Sequence, residues 1–164
     1  MMSSVSFVVD GMLGSLARKL RMFGFDTLYY NHTEDTELLT IGMQEGRVLL
    51  TRDKMLFQRA INGGISSVLL DGSDDVDDMA HVLKSSGIYS AEFLPEKSRC
   101  PLCNSVLDKR NKDSIDKLIP AKVLNMHERF YFCKQCNKVY WEGSHFKKLQ
   151  EFGLNVKMRL NNAS

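Results

Sequence analysis

What this 164-residue sequence has little of narrows the field first. It contains three prolines, four cysteines and one tryptophan, and its 22 Lys and Arg nearly cancel its 20 Asp and Glu, for a net charge of +2. Charged residues at 26% and aromatics at 9% lie near average globular usage, which excludes collagen-like, low-complexity and extended disordered chains. No run approaches the roughly 18 uninterrupted apolar residues of a membrane-spanning helix, so no membrane partner is expected. The first apolar run has no basic lead and ends at Asp10, so no signal peptide is expected and the cytoplasm is the expected compartment. In that reducing setting four cysteines read as metal ligands or free thiols in preference to disulfides. No internal repeat is present, and a folded chain of this length makes one ordinary domain or two small ones.

What is there is unevenly distributed. Residues 1–95 carry 8 Lys and Arg against 13 Asp and Glu, a charge of −5, whereas residues 96–164 carry 14 against 7, a charge of +7. All four cysteines and the tryptophan fall in the basic part. Charge and cysteine usage thus change together after Pro95, which predicts two units, 1–95 and 96–164.

The acidic unit alternates strand and helix signals. Apolar runs over Val5 to Val9, Thr27 to Tyr30, Arg47 to Thr51 and Ile65 to Leu70 suit strands buried on both faces. Between them, Leu13, Leu16, Ala17 and Leu20 recur on one helical face, a second helix is expected from Asp35 to Gly46, and a third over Met55 to Ile61. Met79, Val82 and Leu83 mark a fourth helix after the acidic start Asp74 to Asp78. Four such units in succession predict an α/β, doubly wound parallel sheet with its first strand internal. In the basic unit, short strands are expected at Phe130 to Phe132 and Val139 to Trp141, with a closing helix over His145 to Phe152.

Open parallel sheets bind ligands outside the carboxyl ends of their strands, and this sequence repeatedly places acids there. Asp10 follows the first strand, Asp53 the third and Asp71 the fourth, while Glu34 and Asp35 open the helix after the second. Gathered carboxylates repel one another unless a cation lies between them. Hard oxygen donors favour Mg²⁺ or Mn²⁺, which can activate water and stabilise a leaving oxygen in phosphodiester cleavage. For Asp35 and Asp71 a helix-capping or turn role stands beside the ligand role, and Asp74, Asp75, Asp77 and Asp78 read as a solvated helix start. A phosphoacceptor receiver would need paired acids after the first strand and a lysine after the last, and neither is evident.

Cys100-Pro-Leu-Cys103 and Cys133-Lys-Gln-Cys136 are two knuckles separated by 29 residues. Each presents two thiolates, and together they complete a tetrahedral four-thiolate shell for one structural Zn²⁺ with no open position.

The sequence resembles the Mut-seven C-terminal RNase domain family, which joins a PIN-like nuclease fold to a zinc ribbon. The resemblance rests on Val9-Asp10-Gly11-Met12-Leu13-Gly14, Leu16-Ala17-Arg18, Leu20-Arg21, Gly24-Phe25-Asp26-Thr27, Tyr29-Tyr30, the segment Glu34 to Leu38 and Leu50-Thr51-Arg52-Asp53. In the ribbon it includes both knuckles and Val139-Tyr140-Trp141-Glu142-Gly143-Ser144-His145. It implies a metal-dependent ribonuclease in which Asp10, an acid near Asp35 and Asp53 match metal-binding positions, with Asp71 the positional match for a fourth acid.

Two functions follow as expectations. In the first, Asp10, Asp35 and Asp53 hold Mg²⁺ or Mn²⁺ with Asp71 assisting, while Arg52, Lys54, Arg18 and Arg21 contact RNA phosphates. In the second, the chain is a noncatalytic RNA or ribonucleoprotein binding module. The basic ribbon, about +5 once four thiolates and one Zn²⁺ are counted, serves either. Phe130, Tyr131, Phe132, Tyr140 and Trp141 offer stacking faces in the second reading and ribbon core in the bland one.

Overall fold

A computed structural model describes residues 4–72 and 74–162. Four short strands, β1 (Phe7–Val9), β2 (Thr27–Tyr29), β3 (Val48–Thr51) and β4 (Ser67–Leu69), form one sheet in the order β2-β1-β3-β4, and every pairing is parallel. The first strand is internal, as expected. Alternation along the strands divides the apolar residues between two faces. Phe7, Val9, Leu50 and Val68 pack with α1 (Gly14–Met22) and α4 (Asp75–Ser85), while Val8 and Leu49 pack on the other side with α2 (Asp35–Glu45) and α3 (Lys54–Asn62). Helices therefore cover both faces of a doubly wound sheet.

The basic unit is a three-stranded antiparallel sheet, β5 (Asp108–Arg110), β6 (Phe130–Cys133) and β7 (Lys138–Trp141), with a short α5 (Ala121–Met126). Phe130 and Val139 on one face pack with Ile115, and with them lie the partly buried Phe132, Trp141, Ile119, Val123 and Leu124. Tyr131 faces the opposite way, into a core shared with α1's last turn, Met22. The candidate stacking aromatics are thus largely core, Phe130 and Tyr131 wholly so. Strand β5 and helix α5 carry weak patterns and have no counterpart in the sequence expectation.

The closing helix, expected over His145 to Phe152, is α6 and runs Ser144–Asn162. Its first turns place Phe146 and Leu149 in the ribbon core, and its last turns place Val156 and Leu160 in the core of the parallel sheet, against α4. The apolar spacing 146, 149, 153, 156, 160 continues one helical face past Phe152, and it needs both units to cover it. A chain of rings crosses the same boundary: Phe152 to Phe23 (5.9 Å), Phe23 to Phe93 (5.6 Å), Phe93 to Phe146 (5.2 Å) and Phe146 to Tyr131 (6.0 Å).

Polar contacts fix the ribbon at the amino edge of the parallel sheet. Asn104 accepts the amide of Thr27, the first residue of β2 (3.0 Å), and donates to Asp26 Oδ1 (2.7 Å), which also takes a two-pronged grip from Arg47. Burial pushes the Asp26 carboxyl upward, yet the hydrogen bonds from Arg47 and Asn104 outweigh it and hold it below its ordinary value. Ser98 donates to the carbonyl of Met22 (2.6 Å), and Gly24 lies so close to Lys97 that a Cβ would stand 2.9 Å from its carbonyl oxygen.

Candidate active site and metal centre

β1 leads into α1 on one face and β3 into α3 on the other, so the crevice at the carboxyl edge opens between these neighbouring strands. Asp10 and Asp53 stand there. Thr51, the fully buried last residue of β3, donates from its hydroxyl to Asp10 Oδ2 (2.9 Å) and accepts the amide of Asp53 (3.0 Å). Asp53 Oδ1 accepts the amides of Met55 and Leu56 (2.8 and 3.2 Å), capping α3. Each carboxylate spends one oxygen on fixing itself. Asp10 Oδ1 and Asp53 Oδ2 have no hydrogen bond to the described residues.

The other two acids are placed differently. Asp35 is the first residue of α2, Glu34 taking the cap position, and its carboxylate faces Arg59 of α3 at 3.7 Å. Asp71 lies exposed in the turn after β4, near enough to Asp78 to raise its pKa. Among the described residues, no three carboxylates bring oxygens within 4.8 Å of one another.

The acidic start of α4 is solvated only in part: Asp74 is exposed and Asp77 partly so, whereas Asp75 and Asp78 turn toward the protein. Asp74 caps the helix by accepting the Asp77 amide (2.8 Å), and Asp77 pairs with Arg159 of α6 (2.9 Å). Asp75 accepts from Ser15 (2.6 Å) and Lys19 (2.5 Å), both on α1. Asp78 is 2% exposed and takes Arg52 Nη2 at 3.2 Å; burial pushes its pKa up, and Arg52 only partly offsets this. The signal was in the spacing: Asp75 and Asp78 share the helical stripe of Met79 and Val82, and that stripe faces the protein. Thr51 carried no such signal, since only the strand register aims its hydroxyl at Asp10.

Of the expected cationic contacts, Arg18 is exposed midway along α1 and Lys54 is exposed as the first residue of α3. Arg21 is 5% exposed, and its guanidinium donates to the carbonyls of Thr27 and Pro101, both at 2.9 Å. Burial lowers its pKa. The expected phosphate contact is therefore turned inward, because α1 docks this flank against the first cysteine knuckle.

At that knuckle the four sulfurs converge, all within 4.8 Å of one another. Cys103 and Cys133 stand 3.4 Å apart, Cys100 and Cys136 3.9 Å. A tetrahedral ion with metal–sulfur bonds of about 2.3 Å needs sulfur separations of about 3.8 Å, so the spacing fits Zn²⁺, whereas a disulfide would need about 2 Å. In both knuckles the second cysteine is followed by an asparagine with left-handed backbone, Asn104 (φ 72°) and Asn137 (φ 53°), which turns the chain back. Burial pushes the Cys103 thiol up, but hydrogen bonds, first from Ser105, bring it down to about 6. Its neighbour Cys136, hydrogen-bonded to it, is pushed up to about 12. Four thiolates so close ionise together only around a cation.

A family model described as Mut7-C RNAse domain matches residues 5–152. Comparison with curated proteins found no match. No helix among the described residues is long and apolar enough to cross a membrane.

Proposed function

The chain belongs to the Mut7-C RNAse domain family, and from that membership we propose that it hydrolyses RNA phosphodiester bonds at the carboxyl edge of its parallel sheet with Mg²⁺ or Mn²⁺. The observation that carries this reading is the fixing of Asp10 and Asp53 together through Thr51, each with one oxygen left over. Asp10 Oδ1 and Asp53 Oδ2 are the donors that hold the ion. Mg²⁺ is commonly bound by one or two carboxylates, with waters and substrate phosphates completing its shell, so this pair suffices. The bound ion supplies water activation and neutralises charge on the leaving oxygen. Asp35 and Asp71 act from farther out, through water or through the local field.

The thiol cluster holds one structural Zn²⁺, and the ribbon it closes supplies positive charge for RNA. Helix α6 extends that charge. It runs from the ribbon to the amino end of α4, where Asn155, Met158 and Asn162 lie by Asp74 and Val76, and it exposes Lys147, Lys148 and Lys157. Thiols kept as metal ligands also suit a cytoplasmic setting.

The test is cleavage of a mixed RNA panel with Mn²⁺ by the parent, Asp10→Asn and Asp53→Asn. Asparagine keeps an acceptor for Thr51 and an α3 cap, so the fold is held while the ligand charge is removed. Both variants should lose cleavage and retain RNA affinity. If both cut as fast as the parent, the acids are structural and cleavage does not run through this edge; if the parent binds the RNA panel and cuts none of it, the protein is a binding module.

A further inference from the structure

Arg52 is held as a solvated surface arginine is not. One flank is anchored by its bond to the buried Asp78. Its Nε and Cζ also lie against Gly72, where the backbone is left-handed (φ 79°) and a Cβ would stand 3.0 Å from Nε and 3.2 Å from Cζ. Nε is buried, without a hydrogen-bond partner among the described residues and closed to a ligand, while a third of the side chain, 33%, is open to solvent. Lys19, the nearby cation on α1, is already committed to Asp75 and Ser15. Arg52 also sits between Thr51 and Asp53 in the chain, directly after β3 at the carboxyl edge of the sheet. The part open to solvent is what a ligand can reach, and a guanidinium anchored at one end and backed by bare backbone is pre-organised there for a planar or tetrahedral oxyanion.

We propose that Arg52 grips a phosphate of the RNA backbone beside the Asp10 and Asp53 seat, and that Asp78 and Gly72 are positioning residues acting through it. This rests on the carboxyl edge being where RNA binds. The competing account is that Arg52 only neutralises a buried acid. The two differ in sign: without Asp78's opposing charge, an arginine that merely neutralises becomes freer to attract RNA, whereas an aimed arginine loses its aim.

The experiment uses the full chain with a short fluorescein-labelled single-stranded RNA, its binding followed by anisotropy in Ca²⁺ across a KCl series, and its cleavage followed in Mn²⁺. Arg52→Gln should weaken binding about tenfold, the equivalent of one charge-assisted hydrogen bond, and lower the slope of log K against log salt by about 0.7, one phosphate contact on a single strand. Asp78→Asn and Gly72→Ala should also weaken binding and raise KM more than they lower kcat, and neither should weaken it further when Arg52 is already Gln. Tighter RNA binding by Asp78→Asn, an unchanged salt slope in Arg52→Gln, or additive losses in the double variants would overturn the proposal. Should Asp78→Asn melt below the assay temperature, Gly72→Ala, which keeps every charge, decides the question. The reading of the carboxyl edge as the cleavage site fails separately, through an Asp10→Asn variant that cuts as fast as the parent.

Discussion

Replacing Arg21 by alanine should cost stability, not RNA affinity. The guanidinium joins the two units through the carbonyls of Thr27 and Pro101, each at 2.9 Å. Thr27 is wholly buried, so its carbonyl is left unsatisfied at the upper part of the range of about 1–3 kcal/mol for such a group. Pro101 is half-buried and water can reach it, which places its share near the lower end. The sum is about 3 kcal/mol, and for a chain of this size each kcal/mol lowers the melting temperature by roughly 2–4 °C, so a fall of about 6–12 °C is expected. Thermal melts of zinc-loaded protein by circular dichroism measure it, beside RNA titrations over a salt series. A variant that melts with the parent while its salt slope falls by about 0.7 would refute the inward placement and restore Arg21 as a phosphate contact.

Chelation by EDTA should remove one Zn²⁺ per chain, and the amides of β6 and β7 should exchange first; stoichiometric analysis showing no zinc removes the four-thiolate assignment. Val156→Ala should destabilise by about 2–3 kcal/mol, two methylene equivalents plus a cavity, and hydrogen exchange should rise in α1 and α4, far from the substitution in sequence. Loss of protection confined to the ribbon would contradict the packing of α6. Asp26, whose folded pKa is depressed, contributes stability that is present above its ordinary value of 3.8 and is lost as pH falls through the lower folded value. Asp26→Asn should therefore flatten the acid limb of the stability profile below pH 3.8, and an unchanged limb in acid melts would show that the Arg47 and Asn104 contacts contribute nothing.

Local pattern determined a great deal. Continuous apolar runs such as Phe7-Val8-Val9 can only be buried on both faces, and that alone, with helices between, dictated a parallel sheet with an internal first strand. Two C-x-x-C knuckles dictated a thiol cluster because the chemistry of four sulfurs at that spacing has few other uses. Acids at strand ends marked the edge at which to look. Which acids meet there was not legible, because it depends on register and on what each side chain finds. Asp10 and Asp53 are linked by a threonine hydroxyl, Asp35 is drawn to Arg59, and Asp78, in an acidic run that looked solvated, is buried under Arg52. Arg21 has the sequence of a surface cation and becomes a clamp only because the ribbon docks on it, and α6 continues past Phe152 because two separate cores cover its one apolar face. Periodicity is a property of neighbouring residues and can be read along the chain. Pairing between residues 26 and 104, or 21 and 101, exists only once the intervening chain has folded and brought them together.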